Sequence, residues 1–245
     1  MKEKRDAQIE ILRDRNVATD RAGRRHRLNP RIFLIHATAL SIAPIAAAFA
    51  RVWPEAELVN LLEDSLSRDR RRDGRLTEAM TGRFLALARY AEHSGADAIL
   101  FTCSAFGTAI EACKAQAAIP ILKPNEAMLE EALALGPNIG VIASFQPTLP
   151  ALEAELLDAA RAAGKAIRVR SALAEGAMEA LQAGDAIAHD RIIAAAAKSI
   201  SACDVVCLAQ FSMSRAAEAA TAASGRPVLT TPESAVAKLR RLLGH

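Results

Sequence analysis

The stretch that decides the fold is residues 97–126, DAILFTCSAFGTAIEACKAQAAIPILKPNE, which aligns without a gap with residues 204–233, DVVCLAQFSMSRAAEAATAASGRPVLTTPE. The offset between the two segments is 107 residues. The same offset pairs three residues near position 30 with three near position 140: Pro30, Ile32 and Ile35 with Pro137, Ile139 and Ile142. Self-similarity at a fixed spacing indicates a duplicated structural unit. The sequence therefore predicts two copies of one unit, over residues of about 30–136 and 137–243.

Strands and helices are expected to alternate along both copies. Short β-branched runs end in small polar residues and are followed by Ala/Leu/Glu/Arg stretches with helical spacing. The expected strands are 31–35, 57–61, 98–102, 120–122, 138–143, 166–170, 205–209 and 227–230. This alternation predicts an α/β fold of two pseudo-symmetric, Rossmann-like parallel-sheet domains. Ligands in such sheets bind beyond the carboxyl ends of strands, so the site is expected in the cleft between the halves.

The domain boundaries follow from the repeat. Residues 30–124 together with 233–245 are expected to form the first α/β domain, and residues 125–232 the second. Residues 1–29 are expected to be a basic N-terminal extension. The charged segment 65–75, which holds five arginines, two aspartates and a glycine, is expected to be a mobile surface loop.

Composition excludes several classes of protein. The 245 residues are 51% hydrophobic, 24% charged and 4% aromatic, which is typical of a globular protein and excludes collagen-like, disordered and disulfide-scaffold chains. The longest nearly apolar run, 39–52, contains polar residues and is too short to cross a bilayer. The N-terminus lacks the apolar core of a secretory signal, so we expect a cytoplasmic protein with four free thiols and no metal site.

The net charge of +3 is concentrated at the N-terminus. Residues 1–30 hold nine Lys/Arg and five Asp/Glu, whereas the rest of the chain holds 22 and 23. A basic extension can contact nucleic acid or anionic lipid. This one alternates in sign and has no aromatic residue for base stacking, so we expect a solvated extension, no nucleic-acid partner and no membrane partner.

Cys103 is the main candidate for a catalytic residue. It follows the apolar run 98–101 and precedes small polar residues and a helix. Its sulfur is therefore expected to face the amides of a helix N-terminus, which would lower the pKa of the thiol below the usual value of ~8.5. Cys113, Cys203 and Cys207 are expected to be packed, structural thiols.

Other site residues are expected where strands end at the cleft. His36 ends the first strand and is a candidate second acid/base, with a structural histidine as the alternative. Small polar residues that can bind a carboxylate together with helix-start amides are Thr38, Ser104, Ser144, Thr148 and Ser212. Lys123 is expected to supply positive charge at the rim of the cleft.

Three runs resemble the aspartate/glutamate racemase superfamily, which includes hydantoin racemases, arylmalonate decarboxylases and maleate isomerases. The runs are 98–106 (AILFTCSAF), 139–144 (IGVIAS) with Thr148, and 205–213 (VVCLAQFSM). The resemblance extends from Pro30 to near the C-terminus. It implies a duplicated α/β fold, an active site between the halves, a small carboxylate substrate, no pyridoxal phosphate or other cofactor, and a possible homodimer.

The chain departs from the superfamily at the second catalytic position. The racemases typically place a cysteine after the central strand of each half, one for each face of the α-carbon. Cys103 matches the first, but Gln210 stands at the second, and an amide is neither acid nor base at neutral pH. Cys207 lies three residues earlier on the expected strand and is not expected to replace it. Gln210 is instead expected to help stabilise an enolate-like carboxylate.

Three functions stay open at this point. The first is a cofactor-independent racemase or isomerase of amino acid metabolism, which acts at the α-carbon of a small carboxylate, such as an amino acid or a hydantoin, with Cys103 as acid/base. The second is a single-cysteine decarboxylase of malonate-like diacids, although arylmalonate decarboxylases keep their cysteine in the second half. The third is a non-catalytic module that binds a small ligand in the same cleft.

Overall fold

The structure is a computed structural model and describes residues 17–19, 25–27, 29–146 and 148–245. Two short strands precede the repeats: β1 (Val17–Thr19) and β2 (Arg25–Arg27) pair in antiparallel fashion. Most of the N-terminal extension predicted from the sequence lies outside the described residues.

The first repeat builds a four-stranded parallel sheet in the order β4-β3-β5-β6. Its strands are β3 (Arg31–His36), β4 (Glu57–Leu62), β5 (Ala98–Phe101) and β6 (Ile121–Leu122). Its helices are α1 (Ile42–Val52), α2 (Ser65–Asp73), α3 (Glu78–His93), α4 (Gly107–Gln116) and α5 (Glu126–Leu135). Helices cover both faces of the sheet, so the central strands β3 and β5 are almost wholly buried, and their residues 32–35 and 98–101 are all apolar.

The second repeat builds a sheet with the corresponding order, β8-β7-β9-β10. Its strands are β7 (Asn138–Ala143), β8 (Arg168–Leu173), β9 (Val205–Leu208) and β10 (Val228–Thr230). Its helices are α6 (Thr148–Ala162), α7 (Ala177–Gln182), α8 (Ala186–Ser199), α9 (Ala217–Ser224) and α10 (Thr231–Leu242).

The repeat predicted from the sequence is also found in the positions of the central strands. The bounds of β3 and β5 coincide with those of β7 and β9 after a shift of 107 residues. An aspartate ahead of each central strand makes the same bond: Asp97 Oδ2 accepts from the backbone amide of Arg31 at 2.7 Å, and Asp204 Oδ2 accepts from that of Asn138 at 2.8 Å. The predicted α/β fold with two parallel-sheet units is confirmed.

The last helix of each repeat packs on the sheet of the other repeat. The apolar face of α5 joins the core around β7 and β9 through Met128, Leu129, Ala132 and Leu133. The apolar face of α10 joins the core around β3 and β5 through Ala235, Val236 and Leu239. The two helices also contact each other, since Ser234 donates to Glu131 Oε2 at 2.7 Å and Lys238 to Glu126 Oε1 at 3.0 Å. The predicted domain boundaries stay a prediction.

The loop predicted over 65–75 is wrong, because residues 65–73 form the helix α2. Leu66 is fully buried and anchors this helix in the core of the first repeat. Asp69 accepts from Arg83 of α3 at 2.6 Å, so this ion pair ties the helix to α3, while most of its other charged residues stay exposed. Gly74 ends the helix with φ 65°, a left-handed conformation that favours glycine.

The strand expected at 166–170 is displaced toward the C-terminus, since β8 begins at Arg168 and ends at Leu173. Pairing with β7 sets its position, with Asn138 opposite Arg168. Across the part of the chain that the structure describes, no helix is both long enough and apolar enough to span a membrane.

Candidate active site

Cys103 and Gln210 occupy equivalent positions in the two repeats. Each lies two residues beyond a central strand, β5 or β9, and caps the N-terminus of a 3₁₀ turn that leads into a helix. The turns are Ser104–Phe106 and Phe211–Ala216. Both capping residues have extended backbones, with φ −127° and ψ 120° at Cys103 and φ −134° and ψ 143° at Gln210. The topology therefore places both side chains at the carboxyl ends of the sheets, as the sequence predicts.

These two sheet ends are packed against each other. Phe211, which follows Gln210, is buried in the core of the first repeat together with Ile45 of α1. From the opposite side, Glu155 of α6 approaches the start of α4 so closely that a Cβ added to Gly107 would lie 3.3 Å from its Oε1. The turn after each capping residue thus lies against the other repeat, and the cleft is bounded by both.

The thiol of Cys103 is half-buried, unlike the other three thiols, which are buried. Burial raises its pKa, and the nearby backbone amide of Ala105 lowers it by less. The expected fall in the pKa of Cys103 is therefore wrong, because one amide does not offset the desolvation. Burial therefore favours the thiol form of Cys103 over the thiolate. Burial also raises the pKa of Cys113 to about 11 and that of Cys207 to about 12.

Gln210 is held by Ser144, which follows the end of β7. Its Oε1 accepts from the backbone amide of Ser144 at 2.6 Å and from the Ser144 hydroxyl at 2.9 Å. A backbone amide only donates, so the atom that faces it must be the amide oxygen of the side chain. The Nε2 group then points away from Ser144, and it makes no hydrogen bond within the described chain. Gln210 is consequently presented as a hydrogen-bond donor.

His36 is fully buried at the end of β3. Its Nε2 lies 2.9 Å from Asn60 Oδ1, and its Nδ1 lies 2.9 Å from the Thr102 hydroxyl and 3.0 Å from the Ser41 hydroxyl. Burial lowers its pKa, and the bond to Asn60 raises it by less, so the surroundings favour the neutral ring. Both ring nitrogens are bonded inside the protein, which leaves neither available to a substrate in this arrangement.

Of the remaining predicted binding residues, four follow strand ends and one, Lys123, lies beside α4. Thr38, Ser104, Thr148 and Ser212 are half-buried in the segments that follow strand ends. Lys123 lies on the side of α4 instead, where its Nζ contacts Glu111 Oε1 at 2.8 Å and where Glu126 and Glu155 add further negative charge. Its charge is neutralised there, and its role at the rim of the cleft stays a prediction.

Sequence reasoning missed Asn60, Thr102 and Glu155. Asn60 is a polar residue within the apolar strand β4, and Thr102 directly precedes Cys103, so both left a local signal. Glu155 left no such signal, since it lies in an amphipathic helix with several other charges. Burial raises the pKa of Glu155, and Lys123 opposes that rise. Among the described residues, no group of three or more His, Cys, Asp or Glu side chains is arranged to hold a metal ion.

Solved structures with the same fold include racemases and a decarboxylase. Allantoin racemase from Pseudomonas fluorescens superposes with a TM-score of 0.62 at 20% identity, over 87% of this chain and 92% of that chain. An aspartate racemase homologue from Pyrococcus horikoshii gives 0.67 at 15% identity, over 88% and 99%. Arylmalonate decarboxylase gives 0.61 at 17% identity, over 88% and 94%. These likenesses establish the fold.

A search of curated protein sequences gave no significant match. The family model for Asp/Glu/hydantoin racemases, in contrast, matches residues 34–244, which include both capping residues and both sheets apart from the first three residues of β3. The chain therefore belongs to the Asp/Glu/hydantoin racemase family of enzymes.

Proposed function

We propose that the protein transfers a proton at the α-carbon of a small carboxylate, without a cofactor, and that the Cys103 thiol carries the proton. The reaction class is that of the family, racemisation or isomerisation of a substrate such as an amino acid or a hydantoin. The observation that supports the proposal is the pair of equivalent capping positions, which hold a half-buried thiol in one repeat and a hydrogen-bond donor in the other. A positioned acid/base group contributes on the order of 10²–10⁴-fold to such a reaction.

Each of the two groups fits one part of the reaction. Removal of a proton next to a carboxylate places negative charge on the carboxylate oxygens, and donors aimed at those oxygens stabilise it. The Nε2 of Gln210 supports this role because Ser144 fixes its orientation. Ser104 and Ser212, in the two 3₁₀ turns, supply further donors near the same strand ends. A small carboxylate fits such a set of neutral donors.

The proton transfer is proposed to take place on one face of the α-carbon. Gln210 has no proton to exchange at neutral pH. His36, the second acid/base expected from the sequence, is fully buried and bonded through both ring nitrogens. Cys103 is left as the exchanging group: its thiolate, the minor form, takes the α-proton to give a thiol and an enolate-like carboxylate, and the thiol, after exchange with solvent, returns a proton to the same face. Exchange of the α-proton is therefore expected to be faster than inversion of configuration.

The test is incubation of the reduced protein with single enantiomers of amino acids and hydantoins in deuterium oxide. Mass spectrometry would follow deuterium at the α-carbon, and optical rotation would follow inversion. We expect exchange that Cys103→Ala abolishes and that Cys113→Ala, a matched substitution of a buried thiol, leaves in place. Absence of exchange with any substrate of a broad panel would contradict the proposal, and retained ligand binding would then favour a non-catalytic module.

A second candidate is a decarboxylase of malonate-like diacids, favoured by the absence of an acid at position 210. Loss of CO2 leaves an enolate-like carboxylate that needs one proton, and the protonated thiol of Cys103 would deliver it to one face. Release of CO2 from 2-substituted malonates, with one enantiomer as the product, would support this reaction. If Cys103→Ala released CO2 and gave the same enantiomer as fast as the parent, the role of the thiol would be excluded.

A homodimer and a cytoplasmic location also stay proposals. Size-exclusion chromatography with light scattering would measure the mass of the particle against the 26.0 kDa of one chain. Cell fractionation would test the location.

A further inference from the structure

Three buried polar side chains and one exposed asparagine form a network beneath Cys103. Asn60 of β4, His36 of β3 and Thr102 beyond β5 lie on three neighbouring strands, and Ser41 joins them from the 3₁₀ turn Ala39–Ser41. Thr102 and Ser41 are also 2.9 Å apart, so the two hydroxyls and the His36 Nδ1 form a closed triangle. The network therefore runs across the sheet and ends one residue before the thiol.

Hydrogen-bond chemistry fixes the direction of this chain. The Asn60 Oδ1 only accepts, so the Nε2 of His36 carries the ring proton. The Nδ1 of the neutral ring must then accept, and the Thr102 hydroxyl, 2.9 Å away, is the donor to it, because the single proton of the Ser41 hydroxyl is donated to the carbonyl of Thr38 at 2.9 Å. Thr102 is held as well by its backbone amide, which donates to the carbonyl of Ile35 at 3.1 Å. Both the side chain and the backbone of the residue before Cys103 are thus tied to β3.

The second repeat shows that the fold does not require this network. The positions 107 residues after His36 and Thr102 are Ala143 and Ala209, both buried with 0% and 2% exposure. An alanine pair therefore builds the same junction between equivalent strands. Buried polar groups are costly unless they are fully bonded. The network is present in the repeat that carries the cysteine and is replaced by apolar residues in the repeat that carries Gln210.

We infer that His36 is a positioning residue: by holding the Thr102 side chain it restrains the strand end before Cys103 beyond the backbone bond that both repeats share, and so the direction in which the thiol meets the substrate. Asn60 selects the tautomer of the ring, and Ser41 lies beside its Nδ1. The inference rests on the proposed role of Cys103. It replaces the role of second acid/base that the sequence suggests for His36, since a fully buried ring does not touch the reacting atoms.

The experiment compares Thr102→Val, which keeps the shape and removes the hydroxyl, with Thr102→Ser, which keeps the hydroxyl. The control is Thr221→Val, the same substitution at an exposed position on α9. The rate of Cys103 alkylation by iodoacetamide is measured from pH 6 to 10, with kcat and KM for proton exchange. We expect Thr102→Val to change the pH profile of alkylation and to lower kcat on the order of tenfold to a hundredfold, with KM within a few-fold. Thr102→Ser should restore both.

The double variant His36→Ala/Thr102→Ala copies the alanine pair of the second repeat and covers the case in which the valine variant does not fold. It should show the same altered alkylation and the same fall in kcat. A folded variant of either kind whose alkylation profile and kcat match those of the parent would overturn the inference. So would a serine variant as impaired as the valine variant. Alkylation of Cys103 can be measured without turnover. If the alkylation profile changed in the variants while the parent protein showed no proton exchange, the proposed function would be excluded and the positioning role would remain supported.

Discussion

Substitution of Gln210 by glutamate separates the acceptor role of its Oε1 from the donor role of its Nε2. Glutamate keeps the Oε1 that accepts from the Ser144 amide at 2.6 Å and from its hydroxyl at 2.9 Å. It replaces the outward Nε2 donor by a carboxylate oxygen, which repels a carboxylate substrate. Loss of one donor aimed at developing negative charge costs on the order of 10²–10³ in kcat, or about 3–4 kcal/mol.

The matched variant is Gln210→Leu, which removes acceptor and donor together. It leaves the Ser144 amide, in a residue that is 8% exposed, without an acceptor. That loss costs about 1–3 kcal/mol of stability, which corresponds to a fall in Tm of about 2–12 °C for a protein of this size. The glutamate variant should keep the parental Tm to within about 4 °C, because both bonds to Ser144 persist.

The assay is proton exchange at the α-carbon for both variants and the parent, with differential scanning calorimetry on the same samples. The expected result is low activity in both variants and low stability in Gln210→Leu alone. As the pH falls toward the usual glutamic acid pKa of about 4.3, the difference in kcat between Gln210→Glu and the parent should narrow, since the protonated carboxyl regains a donor. A folded Gln210→Glu protein whose kcat at neutral pH equals that of the parent would refute the donor role.

Three further results are expected. Iodoacetamide should label Cys103 before Cys113, because Cys103 is half-buried whereas Cys113 is buried with a pKa of about 11; equal rates by peptide mapping would argue against this placement. Burial lowers the pKa of His36, so the contribution of this residue to stability is fully present above the unfolded pKa of about 6.5. As the pH drops through that value toward the folded pKa, chemical denaturation should show the free energy of unfolding falling by at most about 1.4 kcal/mol per pH unit. His36→Gln should flatten this slope, and an unchanged slope would refute the expectation. Gly136→Ala should lower Tm by about 2–12 °C, because its Cβ would lie 2.6 Å from the Cβ of Asp204; an unchanged Tm would show that Asp204 moves aside freely.

The fold was predictable because its central strands are buried on both faces. Such strands read as continuous apolar runs between small polar residues, and two of them recur at a fixed offset. Helix α2 was not predictable in the same way. Leu66 is its one buried residue, and the partner that orders its charges, Arg83, lies on another helix. A charged run with one apolar residue does not distinguish a helix from a loop.

The position of the candidate site was predictable from the sequence, but the pKa values and hydrogen-bond partners of its residues were less so. Parallel topology places Cys103 and Gln210 at strand ends whatever surrounds them. The pKa of a thiol depends on burial, which residues distant in sequence supply, and here burial outweighs the nearby amide. The environment of His36 is of the same kind, since its partners Asn60 and Thr102 lie 24 and 66 residues away along the chain.

The exchange of α5 and α10 between the sheets has a consequence for how the molecule comes apart. A chain cut after residue 136 would retain α5 but not the sheet that buries its apolar face, and the sheet left behind would lack the cover of α10. The two repeats are therefore expected to unfold together as one cooperative unit. A single repeat could bury its own last helix only against another copy of itself. In these terms the chain is a swapped dimer whose two subunits have been joined into one polypeptide.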